Sequence, residues 1–186
     1  NTLASPTSRL SDAGRPSNTM LTAPILPTLV RLSIPNMFAM VAMALMRMGS
    51  TLDQGEYKNH LERATEYLLK QVEKAPKSAM NITDLKGTQI QVKLGTNIDV
   101  ALTAQYLSNL VARLGEQHPM KLRSMRALNT CVGMIQRSQN SDGSVQGDGW
   151  AGVLQSSFAA NALESAKAQG AKVDDEALDL ARNYQK

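Results

Sequence analysis

Chemistry at neutral pH needs a carboxylate of shifted proton affinity, a nucleophile beside a base, or a cluster of metal ligands. The adjacent acids Asp174, Asp175 and Glu176 precede the apolar Leu178, a pattern that opens a helix with acids near the positive end of its dipole. Carboxylates at such a solvated start stay ionised and are poor proton donors. Cys131, the single cysteine, has no Asp or His at ligand spacing and falls where a helical stripe places core residues. His60 and His118 stand far apart in the sequence beside loops, where histidine more often caps a helix or meets solvent. The sequence contains no Gly-rich phosphate cradle, no Gly-x-Ser-x-Gly elbow and no His-Glu-x-x-His pair. No catalytic residue, cofactor or metal ligand is therefore assigned.

The run from Gln139 to Trp150 concentrates polar and turn-forming residues. Gln139 has both a carbonyl and an amide with which to satisfy backbone groups at a helix end. Asp142 and Gly143 supply a turn, and Gly147 and Gly149 supply another before Trp150. The expected product is a corner built from Gln139, Asp142, Gly143 and Trp150, with the indole packed into it and its nitrogen bonded to a nearby carbonyl. In the competing reading, Asp142, Asp148 and Trp150 lie at the mouth of a helical assembly and touch a guest.

Three repeats of one module must position these residues: an apolar helical segment ending in Gly, a loop, and a second helix that runs to a Gln. The copies are Phe38 to Gly49 then Arg63 to Gln71, Ile98 to Gly115 then Arg126 to Gln139, and Val153 to Gly170 then Glu176 to Gln185. Paired helices bury their apolar stripes by stacking on neighbouring pairs. The expected fold is all-α, with antiparallel helix hairpins in a helical array and inner helices near 37–48, 98–114 and 151–168. Leu61, Ala64, Leu68, Leu69 and Val72 form one helix face, opposite Glu62, Arg63, Glu66 and Lys70. Asp99 opens the next helix, whose apolar face runs through Leu102, Leu107 and Leu114. Leu122, Leu128, Cys131 and Ile135 are read as another face, and Val153, Leu154, Phe158, Ala162 and Ala166 as a further one. Long loops are expected near 75–97 and 138–150. In the first, the alternation of Thr88, Ile90 and Val92 suggests contact with a short strand.

Residues 1–20, rich in Ser, Thr, Pro and Asn, read as an extended arm, and 21–186 as one helical-hairpin domain. Twenty Lys and Arg against sixteen Asp and Glu leave a net charge of +4, spread along the chain. Without a basic run interleaved with aromatics, that balance does not point to nucleic acid. The apolar stretch at 21–48 is interrupted by Arg31, Arg47, Pro24, Pro27 and Pro35. Its pieces are shorter than the roughly 20 residues of a membrane span, so a buried helix is favoured over membrane contact through 21–48. A cytoplasmic and an exported location both fit, because one cysteine and no visible signal segment decide neither.

The run Gln136, Ser138, Gln139, Asp142, Gly143, Ser144 and Val145, followed by Gly149, Trp150 and Ala151, resembles the glutamine and tryptophan motif of the squalene cyclase and prenyltransferase family. In that family the motif closes one helix hairpin and opens the next in an α/α toroid. Val145 stands at the family's aromatic position, and the only Trp comes five residues later. Gly87 to Asp99 is similar to the loop before an inner helix in uncharacterised bacterial toroid proteins. The resemblance implies a partial α/α toroid, with three helix pairs making about half a ring, expected either as a fragment flanked by further hairpins or as a small module that pairs or oligomerises. The family's acid run and its zinc and magnesium ligands have no counterpart here, since Asp174 and Asp175 stand at a helix start. The favoured function is a noncatalytic scaffold that binds a protein partner or further hairpins of the same fold. The alternative is a partial or degenerate terpene-cyclase or prenyltransferase-like enzyme acting on an isoprenoid.

Overall fold

The computed structural model describes residues 34–145 and 149–186. The expected arm at 1–20, the apolar segment 21–33, Gly147 and Asp148 lie outside the described residues. Within them the fold is all-α, with seven helices: α1 Pro35–Arg47, α2 Lys58–Lys74, α3 Gln89–Leu94, α4 Ile98–Arg113, α5 Lys121–Arg137, α6 Gly152–Ala168 and α7 Asp175–Asn183. No β-strand occurs among the described residues, and Gln139 and Val145 meet in an isolated antiparallel bridge.

The ends of these helices follow from local chemistry. Pro35 occupies the first turn of α1, where its missing N–H is no loss. The stop is equally local. The Ser50 N–H bonds to the Leu45 carbonyl at 3.1 Å and the Gly49 N–H to that of Met46 at 3.1 Å, with Gly49 at φ 91°. The same pattern closes α6, where Ala171 bonds back to Ala166 at 3.1 Å and Gly170 has φ 78°. Both are Schellman turns, which need a residue in the left-handed region. Asp174 starts α7, its Oδ1 accepting the Ala177 N–H at 3.0 Å. At the end of α4, Lys121 Nζ donates to the carbonyls of Val111 and Leu114 at 2.9 and 3.0 Å, satisfying groups left open there.

Helix α4 lies at the centre of the packing and touches α1, α3, α5 and α6. Its sequence explains why. Ile98, Val100, Ala104, Leu107 and Leu110 point around most of its circumference and are all buried, as expected of a helix enclosed on several sides. Against it, α6 presents the small residues Ala159, Ala162 and Ala166, each almost or fully without exposure, which permits close approach. Helix α1 also touches α2, α6 touches α7, and α2 touches α5. Thr65 of α2 hydrogen-bonds through its hydroxyl to Tyr106 of α4, and burial pushes the Tyr106 phenol up to about 12. Outside the core, Arg123 of α5 forks between Glu66 and Glu73 of α2 at 2.5 and 2.6 Å and holds both carboxyls below their ordinary range.

Several expectations are corrected. The segment read as touching a strand holds the short helix α3, begun by a reciprocal capping box between Thr88 and Gln91. Leu122 is 64% exposed, although its spacing suggests a face shared with the buried Leu128. Six residues turn an α-helix through about 240° beyond a full turn, so the two cannot share a face. Val153 and Leu154 are exposed as well, while Ala159 and Ala162 form the buried side. Replacing Leu107 with Ala is accordingly expected to cost about 2–5 kcal/mol. Leu122→Ala should stay within about 0.5 kcal/mol. Urea denaturation midpoints of the two variants check the assignment.

Candidate functional site

The corner expected at Gln139 to Trp150 forms around Gln139, not around the Trp. Gln139 Nε2 donates to the Ala177 carbonyl of α7 at 2.8 Å and to the Gly143 carbonyl at 3.3 Å. The turn between is drawn tight by Asn140 N–H to the Ser144 carbonyl at 2.8 Å. Asp142 Oδ1 accepts from the Ser144 N–H at 2.9 Å and from its hydroxyl at 2.6 Å, and these bonds hold the carboxyl below its usual range. Gly143, at φ 88°, lies so close to α7 that a Cβ there would stand 2.1 Å from the Leu180 carbonyl oxygen. Val145 is buried at the far side of the turn, its N–H bonded to Ser156 Oγ and its carbonyl to Gln155 Nε2, both at 3.1 Å.

Trp150 does not join this corner by burial. Its side chain is 76% exposed, contrary to the packing expected of it. The backbone on either side is pinned instead. The Ala151 N–H bonds to the Lys93 carbonyl at 3.1 Å, and Gly149 abuts Gly95 so closely that a Cβ would meet its nitrogen at 2.2 Å. With both neighbours docked on the C-terminal end of α3, the indole is left outside. Of the residues placed at a mouth, Asp142 is engaged in its own turn, Trp150 is exposed, and Asp148 lies outside the described residues.

A second polar site, unassigned in the sequence beyond a helix start, centres on Asp99. This carboxylate has no exposure. Its Oδ1 accepts from the Asn36 N–H at 3.1 Å and Asn36 Nδ2 at 2.7 Å, and its Oδ2 accepts from Gln91 Nε2 at 2.7 Å. The same Gln91 amide nitrogen reaches the Leu85 carbonyl at 3.0 Å. Burial raises the Asp99 pKa above the ordinary carboxylate value, while the donors from Gln91, Asn36 and Asn81 oppose that shift. Nearby, burial and the Asp99 charge push the Tyr67 phenol up to about 12. The Thr88 to Gln91 capping-box spacing was the readable signal for this site.

On the side where α1, α4 and α6 meet, an open groove of about 730 Å³ has apolar walls from Met40, Met43, Met48, Leu102 and Phe158. Polar groups interrupt them in pairs one helical turn apart, Gln105 with Asn109 on α4 and Asn161 with Ser165 on α6. Asn109 Nδ2 donates to the Gln105 carbonyl at 2.9 Å and approaches the Met43 sulfur at 3.6 Å. Arg47 also lines the groove and, with Arg113, walls a small recess beside it. In the sequence these polar pairs are an irregularity within otherwise apolar helices.

Elsewhere, a cavity of about 400 Å³ is lined by Asp53, Lys58, Glu62, Glu66 and His118, with His118 Nε2 3.3 Å from Asp53 Oδ1. Among the described residues no group of three or more His, Cys, Asp or Glu is placed to hold a metal ion. Cys131 is buried, and its thiol is pushed up to about 12, which leaves little thiolate at neutral pH. Asp175 is paired with Lys167, which lowers its carboxyl from the ordinary value. No described helix is long and apolar enough to cross a membrane. Compared with protein-family models, with curated proteins and with solved structures, the chain has no match.

Two outcomes test this geometry. Gly143→Ala is expected to destabilise by about 1–3 kcal/mol, from the strained φ and the carbonyl in its way. Trp150→Ala should stay within about 0.5 kcal/mol, and thermal melts compare them. For Asp99, a raised folded pKa means the folded state holds the proton more tightly than the unfolded one. Its contribution is therefore fully present below the unfolded value of 3.8 and is lost as pH rises toward the raised folded value. Asp99→Asn should remove that part of the pH dependence while costing about 1–3 kcal/mol, because an amide nitrogen would face donors. Denaturation of both proteins across acid pH measures the difference in slope.

Proposed function

We propose that this chain is a protein-interaction module, in which the pairs α1–α2, α4–α5 and α6–α7 form part of an α/α toroid-like array with α1, α4 and α6 as the inner helices. The contacts of each helix with its successor in the pair, and of α4 with both α1 and α6, support that arrangement. The resemblance of Gln136 to Val145 to the toroid motif agrees with Gln139 reaching a carbonyl of the next outer helix. One observation carries the functional reading. Met37, Met40 and Val41 on α1 and Met48 just after it are all about half exposed or more, and Met40 and Met48 continue directly into the groove. Apolar side chains gathered in this way mark contact surfaces, and the flexible thioether of Met suits a surface that adapts to what it binds.

In this reading the groove binds, the corner at Gln139 and Gly143 fixes α7 against its neighbours, and Asp99 serves as a buried acceptor that holds the inner helix starts. The walls of the groove supply thioethers, amides and a guanidinium, a set suited to recognition. Site-specific photo-crosslinking is the test: a photoreactive residue at Met40 should give discrete protein adducts in extracts of cells that express the chain. The same group at the exposed Thr130 of α5 should give none. Equal labelling at both positions would overturn the reading. So would turnover of squalene or of isoprenyl diphosphates by the purified protein with magnesium or zinc, which would favour the enzyme alternative.

A further inference from the structure

Resting on the reading of the α1–α4–α6 groove as a protein-binding surface, we infer that its occupant is an extended, acidic peptide segment carrying apolar side chains. The polar pairs set the backbone form. Gln105 and Asn109, and Asn161 and Ser165, each stand four residues apart on a groove-lining helix. Four residues advance a helix by about 6 Å. An extended chain advances about 6.6–6.8 Å in two residues, so successive peptide groups facing one side recur at nearly that interval. Gln105 Nε2 donates to the Phe158 carbonyl at 3.4 Å and Asn109 Nδ2 to the Gln105 carbonyl at 2.9 Å; each amide has a second N–H and a carbonyl oxygen beyond these bonds, which match the C=O and N–H of a peptide. A helical occupant already spends its backbone groups internally and has no use for such pairs.

Charge sets the chemistry of the side chains. Arg47 and Arg113 close the last turns of α1 and α4 and share the recess that adjoins the groove with Asn109 and Met43. No Asp or Glu lines either the groove or that recess. The described ion pairs engage Arg123 and Arg182 but neither of these two arginines. An acidic side chain or a terminal carboxylate fits there, where guanidinium groups bind carboxylates with good geometry. The apolar walls then receive the alternate side chains. The chain's own residues 1–33 have the wrong sign for that end, with Arg9, Arg15 and Arg31 against the single acid Asp12.

Selection of a displayed library of random peptides on the full chain tests the inference, followed by fluorescence polarisation with synthetic versions of the enriched sequences. The expected peptides combine Asp or Glu with apolar residues, keep their affinity when a proline breaks helix formation, and bind less tightly as salt rises. The Arg47→Glu, Arg113→Glu double variant, at two exposed positions, should weaken them at least tenfold and shift selection toward Lys and Arg. Met40→Arg should abolish binding of either kind. Peptides with no acidic bias that still depend on Met40 would overturn the charge inference and leave the interaction reading standing. Loss of binding on proline insertion would overturn the extended form alone. Enriched peptides indifferent to Met40→Arg, or no enrichment at all, would sink both readings. Tighter competition by a synthetic peptide of residues 1–33, or self-association abolished by Met40→Arg, would assign the groove to the chain's own segment or to a second copy and overturn the inference.

Discussion

A carboxylate shut away from water must find its donors inside the protein, since an ionised group left unsatisfied there costs more than most folds can bear. At Asp99 those donors come from separate stretches of chain: the first turn of α1 through Asn36, and the short helix α3 through Gln91. Asp99 itself belongs to the first turn of α4, which packs against α1, α3, α5 and α6. The carboxylate thus decides where α1 begins relative to α4. It also gives the segment between α2 and α4 a reason to hold one conformation, because Gln91 reaches both Asp99 and the Leu85 carbonyl.

The groove depends on that placement. Its two long walls are α1 and α6, and both are set against α4 by residues that leave little freedom: Ala39 and Ala42 of α1 are fully buried, as are Ala162 and Ala166 of α6. Small side chains bring the helices close on their inner sides. The larger ones, Met40, Met43 and Phe158, are then left to line the opening. A surface able to adapt through its methionines is carried on a backbone whose seams are closely packed.

Much of the helical framework was readable because it follows period and punctuation. The stripe Leu61, Leu68, Leu69 and Val72 and the Gly stops at Gly49 and Gly170 have direct local causes, and Asp174 starts α7 by side-chain capping. Errors arose where tertiary contacts override local pattern. Leu122 and Val153 look like core residues until the angle around the helix is counted, and Trp150 is outside because its neighbours are pinned by Lys93 and Gly95. Around residues 88–92 a strand-like alternation competed with a capping box, and the reciprocal bonds of Thr88 and Gln91 prevail. The groove was the least legible feature. Gln105, Asn109 and Asn161 come to line one groove only once α4 and α6 lie side by side.

The span of the Asn36 to Asp99 link, 63 residues along the chain, bears on how the domain breathes. Closing so long a loop has an entropic cost, which its bonds repay only when both ends are in place together. If α1 lifts away, Asp99 loses the donors from Asn36 and water enters to replace them; the hold on Gln91 and the loop before it then slackens too. The start of the methionine-bearing helix and the segment around α3 are thereby tied to one another through this carboxylate, so that loosening one weakens the hold on the other.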